Sequence, residues 1–395
     1  MTTECVAWPE VRIGSLGTVF TGRTPPTERL EYFGEDFPFV TPTDMHQGKY
    51  IRKTQRYVSS KGAELLSRIA IPANSVCVSC IGWQMGEVVM TGGQSFTNQQ
   101  INTIVPSPDV NPSFLYYSLL PRKQELLSLG AATGVRTPIL NKSVFCELKV
   151  KLPDISVQKR IADVLSAYDN LIENNQQRIR VLEEMVRTLY RGWFIHENYP
   201  AKKETLGSRP CTLADLCQLV KKPFDERRDA ERPLLDLARI PQKSMAPMDT
   251  GKANDLSTSR ILFEAGDTLF GAIRCYLHKV VAVHYPGITN TSVFVLRPKK
   301  PSFRSLVAVI ASDAETVRWA ETHSTGTKMP VINGTVFQTM PIPPMFDTLA
   351  EQFEKIAGPM LDHIGLLSTQ IQTLRQPRDL LPPRLLSGQI SLEEV

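Results

Sequence analysis

A chain of 395 residues with 42% hydrophobic and 22% charged residues can bury a sizeable core and is not wholesale disordered; at about 100–200 residues per domain it has room for two or three. Its longest apolar run, 306–311, falls far short of the roughly 20 residues that cross a bilayer, and no secretory leader is visible at the N-terminus, so a cytoplasmic protein is expected. The net charge of +5 is too mild to identify a nucleic-acid partner by itself. Its distribution says more, because the excess sits in 1–150 (+2) and 200–344 (+6), while 151–199 is neutral and 345–395 acidic.

Residues 1–150 read as the first globular block. Short β-branched or alternating runs, FPFVTP, SVCVSCI and INTIVP, are punctuated by Gly, Pro and Asn and accompanied by a helical run, PSFLYYSLLPRKQELLSL. The seven cysteines make no disulfide framework. One CxxC, Cys77 and Cys80, lies in a strand-like run without a second pair, so packing is expected there rather than a metal or redox site.

Segment 41–62 gathers Lys49, Arg52, Lys53, Arg56 and Lys61 beside His46, Gln47, Tyr50 and Tyr57, the mixture that positions on phosphates and reads base edges. Any one such cation is more often merely a solvated surface charge. Asn98, in TNQQ, suits a phosphate, an adenine or a turn. Arg136 stands in TGVRTP, a Gly-flanked loop where backbone can approach phosphate closely, with a purely structural turn as the competing reading.

Residues 151–199 carry the strongest periodicity in the chain. Ile161, Leu165, Tyr168, Ile172, Asn175, Ile179, Leu182, Val186 and Leu189 advance by steps of four and three, a heptad seam. A helix over 156–191 would be about 54 Å long, beyond an ordinary domain helix. Asn175 is either a register device or a tolerated defect. Glu173, Arg180, Glu183 and Arg187 are expected on the outer face, available to a partner.

Residues 200–344 form the second block, with runs TLFGAI, KVVAVHY and SVFVLRP. Arg239, Lys243, Arg260 and Arg274 are its candidate DNA-contacting cations, joined by Asn290 in TNTS and Lys328 in TGTKMP. From 345 a second helix is expected, capped by Thr348 with Glu351 as its capping-box partner. Its seam runs through Phe353, Met360, Ile364, Leu367, Ile371 and Leu374, and Pro377 is expected to interrupt it.

The two halves repeat at a single offset of 192. TGVRTPILNKSVF (133–145) matches TGTKMPVINGTVF (325–337), TNQQINTIVP (97–106) matches TNTSVFVLRP (289–298), and ANSVCVSCI (73–81) matches AGDTLFGAI (265–273). One register held through strand-like, loop-like and helical text means internal duplication. The economical packing of two one-sided stripes is an antiparallel pair within the chain; packing on the globular blocks, or on another chain, would also satisfy them.

No catalytic motif is found: GxxxxGK[ST], HExxH and GxGxxG are missing, and PIPPMF and LPPR lack the Asp/Asn/Ser-Pro-Pro-aromatic form of amino methyltransferases. The chain is expected to have no catalytic residues, metal or cofactor of its own. The arrangement resembles something known. VKLPDISVQKRIADVLSAYDNLIENNQQRIRVLEEMVRTLYRGWFI (150–195) resembles the central linker helix of type I restriction-modification specificity subunits, and IPPMFDTLAEQFEKIAGPMLDHI (342–364) the distal one.

That resemblance implies an α+β fold with a pseudo-twofold internal repeat. Two tandem target recognition domains, 1–150 and 200–344, would be separated by two long antiparallel linker helices, 151–199 and 345–395, the latter with a C-terminal tail. It further implies double-stranded DNA and two methyltransferase subunits as partners, a restriction and translocase subunit able to join, no membrane association, and S-adenosylmethionine, magnesium and ATP held by partners. A coiled-coil scaffold that never touches DNA is the alternative reading.

Overall fold

The structure is a computed structural model and describes residues 8–46, 48–132, 136–196, 211–256, 258–344 and 346–387. Gln47, Thr133 and Gly134 lie outside the described residues. The chain divides into two compact units, one built from 1–170 and 376–395, the other from 171–375.

In the first unit a five-stranded sheet has the order Gly17–Thr21, Ile101–Pro106, Val76–Ser79, Val88–Thr91, Tyr50–Ile51, antiparallel except at the last joint. Val76–Ser79 and Val88–Thr91 are buried throughout, which is why their text is apolar on both faces. Cys77 and Cys80 are packed here, and burial pushes both thiols up to about 12. The helix Pro112–Leu119 covers the sheet with six buried residues. It starts cleanly because the Asn111 side chain accepts from Phe114 N and Pro112 needs no N–H partner.

In the second unit the corresponding sheet runs Cys217–Val220, Val293–Pro298, Thr268–Gly271, Val280–Ala282, all antiparallel. The helix Arg304–Ala311 buries seven of its residues on it. A three-stranded sheet, Lys222–Pro223, Arg260–Phe263 and Gly287–Asn290, stands beside it in sequence.

The duplication is visible element by element. At the offset of 192 the strand starting at Val76 matches that at Thr268, Val88 matches Val280, Ile101 matches Val293, and the helices starting at Pro112, Lys142 and Ile155 match those at Arg304, Gly334 and Asp347. Upstream the offset becomes 200, since Gly17–Thr21 takes the sheet position of Cys217–Val220. Eight residues' difference in loop length hides the first strand of each half from an ungapped comparison.

The two long helices are Ile155–Tyr190 and Asp347–Ser387. Within the second unit their seam is built from Ile172, Ile179, Leu361, Ile364, Leu367 and Ile371. Asn175 Nδ2 donates to Gln370 Oε1 (3.2 Å), and Arg178 meets His363 (3.1 Å); rising numbers on one helix meet falling numbers on the other, so the pair is antiparallel. The ends of the heptad do not stay in this seam. Ile161 and Leu165 enter the core of the first unit with Leu385, and Val186 enters that of the second.

Two expectations are corrected. The second helix begins at Asp347, so Thr348 lies inside its first turn and is not the cap. Nor does Pro377 interrupt it: the helix continues through Pro377, Pro382 and Pro383 to Ser387. A proline deletes one backbone donor and crowds the preceding turn, a local cost that Leu385, buried in the first unit's core, helps to offset by anchoring the helix beyond it.

Candidate nucleic-acid interface

The same tight turn recurs in both halves beside the TG-x-x-x-P loop. In the first unit Ile81 bridges Ile139, Gly82 N donates to Pro138 O (2.9 Å), and Met85 N closes the turn on Gly82 O (3.1 Å). In the second, Ile273 bridges Val331, Arg274 N donates to Pro330 O (2.8 Å), and Leu277 N closes on Arg274 O (2.9 Å). Gly82 has φ +96°, and Arg274, at the equivalent place, has φ +52°. Arg136 and Lys328 are exposed on the facing loops, two residues before the accepting prolines.

Around the second turn the structure gathers three predicted cations from separate stretches of chain. Lys243 N donates to His278 O (2.8 Å), Gln242 bridges Lys279, and Arg274 and Lys328 flank the Pro330 contact. Lys243, Arg274 and His278 all have positive φ, and among the described residues only Asn74 shares that state outside glycine. Left-handed backbone costs an L-residue roughly 1–2 kcal/mol, and such strain concentrates where function requires a particular presentation. Burial and the backbone contact with Ser312 O (2.9 Å) fix the His278 ring, whose pKa burial lowers.

Each turn also displays an aromatic ring that the sequence reading passed over: Trp83 is 68% exposed and Tyr276 49%. Their neighbours are not loose. Cys80 and Met85 bracket Trp83 and are buried, and Ala272 and Cys275, just before Tyr276, are buried as well. A lone aromatic in turn-like text carries no periodic signal. The offset of 192, which aligns Gln84 with Tyr276 and Trp83 with Cys275, misses the pairing by one residue.

Other predicted residues are engaged elsewhere. Lys49 Nζ points inward, donating to Ser113 Oγ (3.0 Å) and Ser166 Oγ (2.8 Å) and standing 4.7 Å from the Tyr117 ring centroid. Burial lowers its pKa to about 8, against the pull of Asp169 and Asp163. Arg56 stacks on Phe33 (4.3 Å) and Lys61 pairs with Glu31 (2.7 Å). Arg52 and Lys53 are exposed.

Arg239 is held by Asp236 (3.2 Å) and Asp255 (2.8 Å). Arg260 lies on Phe224 (4.8 Å) and donates to Leu256 O (3.0 Å). The two asparagines build turns. Asn98 accepts from Gln100 N (3.1 Å) while donating to its side chain, and Asn290 accepts from Ser292 N (3.2 Å).

On the helix pair the outer-face expectation needs one correction. Glu183 is 2% exposed, and its carboxylate accepts from Met245 N (2.5 Å) and Ser244 Oγ (2.8 Å) within the second unit; burial raises its pKa. Arg187 is half-buried beside it (3.8 Å), Glu173 is half-buried near Gln177, and Arg180 is exposed. The open feature of this surface is apolar instead. Val181, Met185 and Leu189 on the first helix, with Trp193 just beyond its end, face Ile356 and Met360 on the second across a groove, with Val181, Met185 and Ile356 exposed.

A family model described as type I restriction modification DNA specificity domain matches residues 6–184. Over that stretch the chain resembles the type I restriction-modification specificity subunits. Among the relatives of this chain, the Type I restriction enzyme HindI specificity subunit of Haemophilus influenzae is 36% identical over 175 residues. That alignment covers 43% of this chain and 38% of the relative, so the match spans well under half of that protein's length. The MjaIX specificity subunit of Methanocaldococcus jannaschii is 24% identical over 98% of this chain and 94% of its own. Among solved structures, the type I restriction-modification S subunit from M. genitalium has a TM-score of 0.60 at 16% identity. It covers 99% of this chain and 98% of that one, a likeness of fold.

No described helix is long and apolar enough to cross a membrane, and no cluster of three or more metal-ligating side chains is found among the described residues.

Proposed function

We propose that this chain is a specificity subunit that selects a bipartite, non-palindromic DNA target and brings adenine methyltransferase subunits to it, itself performing no chemistry. Its target recognition domains are 1–150 and 200–344, and the helices of 151–199 and 345–395 carry two methyltransferase subunits, with a restriction and translocase subunit able to join. S-adenosylmethionine, magnesium and ATP belong to those partners, and the assembly works in the cytoplasm.

The observation that carries this reading is the twice-built turn with an exposed cation on its facing loop, Arg136 in one half and Lys328 in the other. An exposed cation on a loop tied by backbone hydrogen bonds is suited to phosphate, which sets position without reading sequence. The test is salt-dependent binding of the purified chain to duplex DNA. Binding should fall log-linearly with salt, and Arg136→Gln or Lys328→Gln should reduce the slope by about one unit per lost phosphate contact. Lys49→Gln should leave the slope unchanged, since its ammonium faces Ser113 and Ser166. A chain without salt-dependent binding is the scaffold of the alternative reading.

For the partner, the groove of Val181, Met185 and Ile356 is a better candidate than the charged residues first expected there. Exposed contiguous apolar surface between two helices is what a stable protein contact buries. Met185→Glu with Ile356→Glu should abolish co-purification of the methyltransferase while leaving DNA binding in place. Retained co-purification would move the docking surface elsewhere.

A further inference from the structure

We infer that Trp83 and Tyr276 are base-contacting residues, each laying its ring on a base at a distorted step of the half-site its own domain reads. The inference rests on the DNA-reading function proposed above and goes beyond it, because phosphate contacts by Arg136 and Lys328 position the protein but do not account for two exposed rings.

Three features of the two turns point the same way. The rings are exposed although each sits on a turn closed by its own backbone hydrogen bond and tied to the TG-x-x-x-P loop through a proline carbonyl. The turn is therefore a fixed mount, and an exposed aromatic on it keeps its place with little further ordering cost on binding. Second, the duplication preserves the turn and the presence of a ring while changing which turn position carries it, second in one half and third in the other. A residue needed only for the turn would keep its position; a residue that touches a different half-site is free to move.

Third, each ring shares its mount with a cation, Arg136 for one and Lys328, Lys243 and Arg274 for the other, so phosphate attraction and a π-face are delivered together. That pairing is the chemistry of base stacking assisted by backbone charge. Duplex DNA offers a base face only where a step is opened, as apolar wedges do at kinked steps and as enzymes do when they extrude a base for methylation. The ligand is accordingly a duplex deformed at the contacted step.

The test uses the full chain and a synthetic duplex carrying the sequence that cells with this system methylate. Stacking should quench tryptophan emission on DNA binding, and the quench should disappear in Trp83→Phe, the three other tryptophans being unchanged. Trp83→Ala and Tyr276→Ala should each weaken binding on the order of tenfold while leaving the salt slope as in the parent chain, because no phosphate contact is lost. Each should relax discrimination in one half-site only. Trp83 is largely exposed and Tyr276 about half exposed, so the variants should retain the parent circular dichroism and melting midpoint.

Variants that bind with parental affinity and specificity, together with a quench that persists in Trp83→Phe, would overturn this inference while leaving DNA reading intact. A parent chain that does not bind duplex DNA in any salt sinks the inference and the proposed function together.

Discussion

Lys49 shows how the same residue type answers to different physics in different places. From sequence it was one of five cations in a basic run; in the fold its ammonium lies under Tyr117 and between two serines, and burial brings its pKa down to about 8. The unfolded chain holds that proton up to the ordinary lysine value of 10.5, so between about 8 and 10.5 the unfolded state binds more protons and stability rises with pH. Replacing Lys49 by Met should flatten that rise, which urea midpoints of parent and variant measured across the window will reveal; parallel curves would count against an inward-facing Lys49. Glu183 is the opposite case, read as a surface charge and found as a buried acceptor. Glu183→Ala strands the N–H of fully buried Met245, and an unsatisfied buried donor costs about 1–3 kcal/mol. Glu183→Gln, which keeps an acceptor oxygen, should cost less, and equal urea midpoints for the two variants would contradict that role. Neither burial was legible in the text, because a side chain's direction on a helix or loop depends on what packs over it from remote sequence, here Ser113 and Ser166 for one and the 244–245 backbone for the other.

At the scale of elements the periodic signals were read well and the boundary signals poorly. The heptad of Ile161 to Leu189 did mark a single helix, because a seam repeated over many turns survives local exceptions. Its assignment to one interface was too simple: Ile172 and Ile179 meet the second helix, whereas Ile161 and Val186 pack in the cores of different units. Asn175, ambiguous in sequence, bonds across the pair to Gln370, the arrangement expected of a register device. The end of the second helix was misjudged because Pro377 was weighed as a local stop, while Leu385, a full two turns on, is held in a hydrophobic core and keeps the backbone helical past it. The proline still removes the donor that would meet Thr373 O and crowds the turn before it. Pro377→Ala should therefore stabilise the chain, by up to roughly 3 kcal/mol, the intrinsic difference between the two residues in a helix interior. A rise in the thermal midpoint checks this; an unchanged or lowered midpoint would mean that the local bend imposed by proline is needed for Leu385 to reach its site.

For the whole molecule, duplication was the most legible property, since matched strands and helices keep one offset from Val76 through the start of the second long helix at Asp347. Its limits were equally physical: a connection eight residues shorter in the second half leaves its first strand at an offset of 200, and the exposed rings differ by one turn position. What the two copies share is their frame, and what they do not share is the text between the first strand of each sheet and the strand matched at 192. TPTDMHQGKYIRKTQ and DLARIPQKSMAPMD have almost nothing in common, and Lys243 takes part in the second turn through His278 O. Identical reading surfaces would select the same bases twice and give a palindrome, as symmetric dimers do with their half-sites; divergent ones on a common frame should select two different half-sites. Exchanging residues 200–344 for the corresponding domain of a type I restriction-modification specificity subunit should thus change one half-site of the methylated sequence and leave the other untouched. Methylome sequencing of cells carrying the parent and the exchanged system reads both halves at once. A palindromic or continuous motif in the parent, or a motif unaltered by the exchange, would refute independent reading by the two halves, and a change in both half-sites would show that the domains do not read separately.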